Sequence, residues 1–458
     1  MMSPALVGGV AAVAAVLTAA AEDFPLKFET IPARDVMAFP GGFGTSGTLL
    51  VVKPAKINKE PKAVSRRPLY GECRELPSGP AFVFRLDESK GSGKGYDRLI
   101  VDMNQNGDLT DDPVAQPVAL PGERRVSSPS MEEALFGPVA APADKLIAGG
   151  RPAYYAHLYL YNRQVLESAP EDRNLFIGQL QFKAGWYLDT TVELGGRKRK
   201  VGVFDGDSNL RLGDAWQPQI FRPAGGEGES WYFQMADSFL VDANGSGKFE
   251  TDPLESNFCP FGPILYFGPT PYQVGLAADN TVLRIEPWKD ELAEVTLQPQ
   301  GGQVRSLTLA WERPNGKWQL IQPGVAEGKI KVPSGNYRLY ECTLLGGGAA
   351  ARDHVKLSAY ERMLKKPFSF AAGQPNTLPC GAPLEVKVSA NERKTTGASS
   401  SKESDFVLSI STRVVGAEGE VYSTFLKGEK FDARPPRPTF SVLEAGGKRL
   451  TSGNLEYG

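Results

Sequence analysis

Histidine is nearly missing from this chain: His157 and His354 are the only two in 458 residues. A histidine-rich zinc or iron centre is therefore excluded, and a Ser–His–Asp triad would have to draw on one of these two. His157 sits in the aromatic run YYAHLYLY and reads as a packed strand residue. Cysteine is scarce as well. Cys73, Cys259, Cys342 and Cys380 lie far apart with no CxxC pair, which removes zinc-finger and thioredoxin-type chemistry. Two disulfides, with Cys342–Cys380 the simplest to close, and four free thiols both remain open. Neither sign of charge is in surplus: 51 Lys plus Arg face 53 Asp plus Glu, a net charge of -2. That argues against a nucleic-acid or anionic-membrane binder, which needs a basic excess. No GxSxG elbow and no GxxxxGK[ST] phosphate loop occurs, and no apolar run is long enough to span a bilayer.

What is present begins with an apolar stretch from Ala5 to Leu17 that ends in Ala19, Ala20 and Ala21, a small-residue cleavage pattern. The expectation is a signal peptide over 1–21 and a mature chain from Glu22 that is secreted, periplasmic or held at the cell surface. The usual basic residues are missing from Met1 to Pro4. No Cys follows the apolar run, so a lipid anchor is not expected.

Gly (50) and Pro (36) are abundant without a strict period, which favours frequent turns between short strands. The apolar segments fit: LTLAWE and KWQLI flank RPNG, and Asn315-Gly316 is a strong hairpin signal. Phe406, Leu408 and Ile410 alternate with polar or smaller residues, as a half-buried strand requires. Helix signals are few. Ser130 and Glu133 have capping-box spacing before Gly137-Pro138, and 353–365 reads equally as helix or strand. The serine-rich stretch 394–404 predicts a mobile loop, and RPPRP at 434–438 a polyproline-like connector. The predicted fold class is mainly β, with several antiparallel sheets or β-sandwiches carrying loop insertions. The length suits about two to four domains: a β-rich region over 22–290, a small sandwich over 291–380 and an Ig-like sandwich over 381–458. Within the second, IKVPSGNYRL (330–339) resembles the strand–turn–strand of transthyretin-like and carboxypeptidase-regulatory-like modules.

The most informative feature is an internal repeat spaced by 140 residues: DRLIVDMNQNGDLTDDP from Asp97 and DSFLVDANGSGKFETDP from Asp237. The shared positions suit a hard cation that takes six to eight oxygens, because residues one, three and five of a tight loop can aim oxygens inward. These are Asp102, Asn104 and Asn106 in the first copy, and Asp242, Asn244 and Ser246 in the second. Position six must turn with positive φ, hence Gly107 and Gly247. Position seven, Asp108 or Lys248, offers its carbonyl, and Leu109 or Phe249 follows as an apolar anchor. Asp112 and Asp252 stand ready to close the loops. The pattern resembles the D-x-[DN]-x-[DN]-G calcium loops of EF-hand and dockerin proteins over about a dozen residues per copy. It departs from them where Pro113 and Pro253 occupy position twelve, and the entering segments look like strands. The resemblance thus implies Ca2+ ligation without a helix–loop–helix sensor. A third loop, DGDSNLRLGD, offers Asp205, Asp207 and Asn209 with Asp214 to close it, but has Leu210 where glycine belongs.

A plain Asx-turn hairpin uses the same residue types, but the duplicated ligand pattern favours calcium. The six tryptophans read mainly as core, with sugar stacking as the other use. Two expectations follow. One is an exported calcium-binding structural, adhesion or ligand-binding protein, not an enzyme, whose partner is an extracellular polysaccharide or a cell-surface protein. The alternative is a secreted carbohydrate-active hydrolase, which needs only a pair of carboxylates.

Overall fold

In the computed structural model the described residues are 21–37, 39, 44–73, 82–91, 95–119, 132–161, 177–194, 196–221, 230–234, 236–242, 245–249, 258–300, 302–347, 354–360, 367–381, 384–394, 406–416, 421–427, 437, 439–444 and 446–454. Short strands bounded by turn formers dominate them, as the composition implies, and the one α-helix among them is the single turn Ala33–Val36. Residues 1–20 of the expected signal segment, 395–404 of the serine-rich stretch and all of RPPRP except Arg437 lie outside the described residues.

The largest sheet has nine strands. Across it run Val114–Ala115, Arg98–Val101, Val83–Asp87, Leu69–Cys73, Ser46–Leu50, Gly178–Ala184, Ala153–Leu160, Glu132–Ala140 and Pro117–Val118. A second sheet orders Phe258–Pro260, Ser238–Val241, Arg197–Phe204, Trp186–Leu194 and Lys27–Thr30. Both contribute to one core around Phe84, Phe182, Trp186, Leu188, Val201 and Phe239. The capping-box reading at 130–133 is overturned: Glu132–Ala140 is a strand paired with Ala153–Leu160. Its Leu135, Phe136 and Val139 are buried, and tertiary pairing outweighs a local cap signal. His354–Tyr360 is likewise a strand.

A four-stranded sheet joins the two halves of the chain. Its strand Ile264–Phe267 sends Leu265 and Phe267 into the first core and Ile264 and Tyr266 into the second, the two-residue period of a strand covered on both faces. The second core is enclosed by the sheet Lys329–Pro333, Leu292–Gln300 and Asn376–Gly381, and by an eight-stranded sheet. That larger sheet opens with the hairpin Gln303–Glu312 and Trp318–Ile321, turning at Gly316 with φ +75° as Asn-Gly predicts. It continues through Gly335–Gly347 and His354–Tyr360 into Val421–Lys427, Phe406–Val415 and Glu385–Lys394, so strands of the 291–380 and 381–458 segments share it. All four cysteines are free.

The sequence repeat extends into the strands before each loop. Phe84 faces Val101 and Asp87 faces Arg98; in the second copy Val201 faces Val241 and Phe204 faces Ser238. The Asp102 amide donates to the Val83 carbonyl, and the Asp242 amide to the Lys200 carbonyl, each at 2.9 Å. The chain therefore contains the same hairpin-plus-loop twice, once in each of the first two sheets.

Close strand packing in the nine-stranded sheet leaves no room at Gly71. A Cβ there would lie 2.2 Å from the buried Phe84 ring and 2.6 Å from the Thr48 carbonyl oxygen. Gly71→Ala is expected to cost about 1–3 kcal/mol of stability through overpacking. A shift in the urea midpoint at unchanged slope checks it.

Candidate metal centre

In the first loop, Asp102 is buried, and its Oδ1 and Oδ2 accept the amides of Asn106 (3.1 Å) and Gly107 (2.9 Å). Gly107 has φ +75°, and a Cβ there would lie 2.5 Å from the Lys56 carbonyl oxygen. Leu109 anchors the loop among Ile57, Tyr70, Val83 and Ile100. Asn104 Oδ1 accepts from the Asn106 amide at 3.1 Å, and Asn106 Oδ1 from the Asp108 amide at 2.7 Å. The Asp108 carboxylate is taken by Lys59 at 2.8 Å, and this partner holds it down to about 2. Asp112 is pushed up to about 7, by burial first and then by the charges of Asp102 and Asp111. Its Oδ2 is buried with no hydrogen-bond partner. An Asx turn accounts for the amide contacts but not for a closing carboxylate held towards another carboxylate.

The second loop repeats the geometry. Asp242 Oδ1 accepts from the Ser246 amide at 2.9 Å and Oδ2 from the Gly247 amide at 2.8 Å. Gly247 has φ +80°. Lys248 is exposed, and its amide donates to Ser246 Oγ at 3.3 Å. Phe249 packs edge-on against Tyr187, the counterpart of the Leu109 anchor. Asn244 and Asp252 lie outside the described residues.

The third loop departs most from the pattern and buries the most charge. Strand Arg197–Phe204 ends beside Ser238, so Asp205 meets Asp237 across the pair, and the turn at 206–207 brings Asp207 against both. Carboxylate oxygens of Asp205, Asp207 and Asp237 lie within 4.8 Å of one another, and all three residues are buried. Gly206 is required there, since a Cβ would come within 2.1 Å of the Ala236 carbonyl oxygen. Leu210 takes φ +65° despite its side chain, which places its amide 3.2 Å from Asp205 Oδ2. Left-handed backbone at a branched residue costs about 1–3 kcal/mol and clusters at functional sites. The missing glycine thus does not prevent the loop from closing.

Hydrogen bonds satisfy part of this cluster. Asp205 accepts from the Asn209 amide at 3.1 Å and from the Tyr154 hydroxyl at 2.6 Å. Asn209 Nδ2 donates to Asp207 Oδ2 at 3.0 Å and to Asp214 Oδ2 at 2.8 Å. The Asp214 amide donates to Asp237 Oδ2 at 2.8 Å. Asp207 Oδ1 and Asp237 Oδ1 accept no hydrogen bond, and a protonated Asp207 carboxyl can donate to Asp205. Burial, then the neighbouring carboxylates, pushes Asp207 up to about 8 and Asp237 well above its ordinary range. Burial raises Asp205 to about 6. Stripped of a cation, these groups are comfortable only when partly protonated; a divalent ion would let all three ionise and would occupy the two free oxygens. An all-oxygen donor set without His or Cys fits calcium, magnesium or manganese rather than zinc or copper.

In each loop the leading aspartate, Asp102, Asp242 or Asp205, accepts the amides four and five residues on; Asp237 was not anticipated as a site residue. In the repeat it matches Asp97, whose carboxylate is satisfied locally by the Ser89 amide at 2.6 Å and the Ser89 hydroxyl. Its shared place just ahead of strand and loop was visible in the sequence, but its partner in space was not. Comparison with protein-family models, with curated proteins and with solved structures finds no match to this chain.

The raised carboxyls set a pH dependence. A group whose pKa rises on folding stabilises the fold below its unfolded value, near 3.9 for Asp. That contribution is lost as pH climbs through the folded values, about 6 for Asp205 and about 8 for Asp207. Metal-free protein should therefore melt lower at pH 8 than at pH 5, and added calcium should raise the melting temperature more at pH 8. Asp207→Asn should raise the metal-free melting temperature at pH 8 and shrink the calcium effect; calorimetric scans of both proteins check this.

Proposed function

We propose that this is an exported, calcium-dependent structural and binding protein, in which bound ions lock β-hairpin loops and the junction between two sheets. The observation that carries the reading is the pair of unpartnered buried oxygens, Asp207 Oδ1 and Asp237 Oδ1, beside Asp205. Buried carboxylates persist in proteins when they are paired or coordinate a cation, and no cationic side chain is among their hydrogen-bond or ion-pair partners here. Asp205, Asp207 and Asp237 would hold the ion of the buried site. Asp102 and Asp112 support the first loop, and Asp242 the second.

The chain's own residues explain why an ion would stiffen rather than reshape the protein. Tyr154 reaches Asp205 from the nine-stranded sheet, and the Thr45 amide donates to the Asp207 carbonyl at 2.9 Å. Asp205 itself extends a strand of the five-stranded sheet. An ion bound there ties both sheets through groups already in position. The short extended segments entering the loops leave no helix pair to open, unlike a calcium sensor.

Isothermal titration with calcium should show a tight event that Asp205→Ala removes. Weaker events, of the order of 10⁻⁴–10⁻³ M as in extracellular modules, should be lost one each in Asp102→Ala and Asp242→Ala. With calcium at one hundred times its dissociation constant, each site adds roughly 2.7 kcal/mol by mass action. Chelation should lower the melting temperature while far-UV circular dichroism stays β-like. Unchanged stoichiometry in all three variants would remove the calcium reading, and a rise in apolar-dye fluorescence on calcium addition would make the protein a switch.

A further inference from the structure

Where the four-stranded sheet meets the C-terminal half, an open groove of 490 Å³ lies beside a second cavity of 440 Å³, with Pro263 and Arg313 in the walls of both. The 490 Å³ groove is lined by Trp288, Trp311, Asp290, Glu291 and Arg313, with Asp290 and Glu291 exposed. Trp311 is only 4% exposed and meets the half-buried Trp288 edge-to-face, with ring centres 6.2 Å apart and planes at 77°. Trp311 thus fixes the orientation of Trp288, the indole that remains partly open to the groove. This pair lines a cavity large enough for a ligand.

The polar groups narrow the ligand class. Carboxylates accept hydrogen bonds and a guanidinium only donates them, so Asp290, Glu291 and Arg313 lining one cavity ask for a ligand rich in groups that do both. Hydroxyls do both. A nucleic acid would set its phosphates against two carboxylates, and a lipid would strand three charges in apolar contact. A ring with an apolar C–H face and a hydroxylated rim satisfies the indole and the charged edge together.

We propose that this groove is a saccharide-binding site for a neutral glycan chain, with Trp288 as the stacking platform and Asp290, Glu291 and Arg313 as hydroxyl partners. It deepens the binding role proposed above by naming the ligand class, and it rests on that role but not on the ions. Trp288, Asp290, Glu291 and Arg313 lie outside the three acid loops, so the two readings fail separately.

Affinity electrophoresis of the full chain, in calcium-containing gels carrying soluble starch, xylan, galactomannan or mixed-linkage β-glucan, tests it. At least one polysaccharide should retard the protein. Trp288→Ala should weaken that binding roughly tenfold, the scale of one lost ring-stacking contact. The Asp290→Ala/Glu291→Ala variant keeps the tryptophan pair and should also bind more weakly; it decides alone if Trp288→Ala loses the parent's circular dichroism. Calcium stoichiometry, titrated on the same samples, should match the parent. No retardation by any of the four, or equal retardation of parent and variants, overturns the proposal. Retention on a proline-rich peptide column without polysaccharide retardation also overturns it, by assigning the groove to a peptide.

Discussion

Three carboxylates closer than 5 Å in a protein interior cannot all be charged without a counterion, and the junction of the first two sheets is built around that constraint. Asp205 continues one sheet, Tyr154 reaches it from the other, and Gly44 and Gly206 are there because any side chain would strike the Asp207 backbone or the Ala236 carbonyl. Much of the surrounding geometry is fixed by groups that cannot move apart: Leu210 in a left-handed conformation, Asn209 bridging two carboxylates, and Trp216 donating to the Asp237 carbonyl. On the proposed reading, a cation would offset this repulsion and tie the two sheets. Its removal would leave the strands paired but the joint repulsive.

The repeated hairpin sets aspartates at both ends of a short strand twice along the chain. In both copies an aspartate precedes a short strand and another follows it. Asp237 and Asp242 bracket the four-residue strand Ser238–Val241, a span of roughly 13–17 Å at strand rise. One strand thereby carries a buried acid cluster at its start and a calcium-type loop at its end. In the first copy the leading aspartate, Asp97, finds Ser89 in a short connection and needs no ion. In the second the connection is long enough to hold 205–214, whose acids turn back onto Asp237. The same strand pairing with a different connection length gives one simple turn and one candidate metal site.

Strand-rich architecture, the Asn315-Gly316 hairpin and the loop glycines were legible because each depends on local chemistry: alternation, turn residues and the φ a residue tolerates. Residues 130–133 misled for the complementary reason, since a cap spacing says nothing about the neighbouring strand that Glu132–Ala140 joins. Leu210 misled too, because steric preference argues against positive φ but does not forbid it when burial and two amide contacts to Asp205 favour it. Cys342 and Cys380 sit in the same core as free thiols, so a shared region is not a bond.

By itself the sequence determined which residues offer oxygens and where the backbone must turn, because ligand spacing within a dozen residues is a property of one loop. Only the tertiary structure decided that Asp237 joins the buried cluster of Asp205 and Asp207, and that Trp288 and Trp311 line one cavity. Those facts depend on strand register and on which sheets meet, and residues far apart along the chain become neighbours only when the chain has folded.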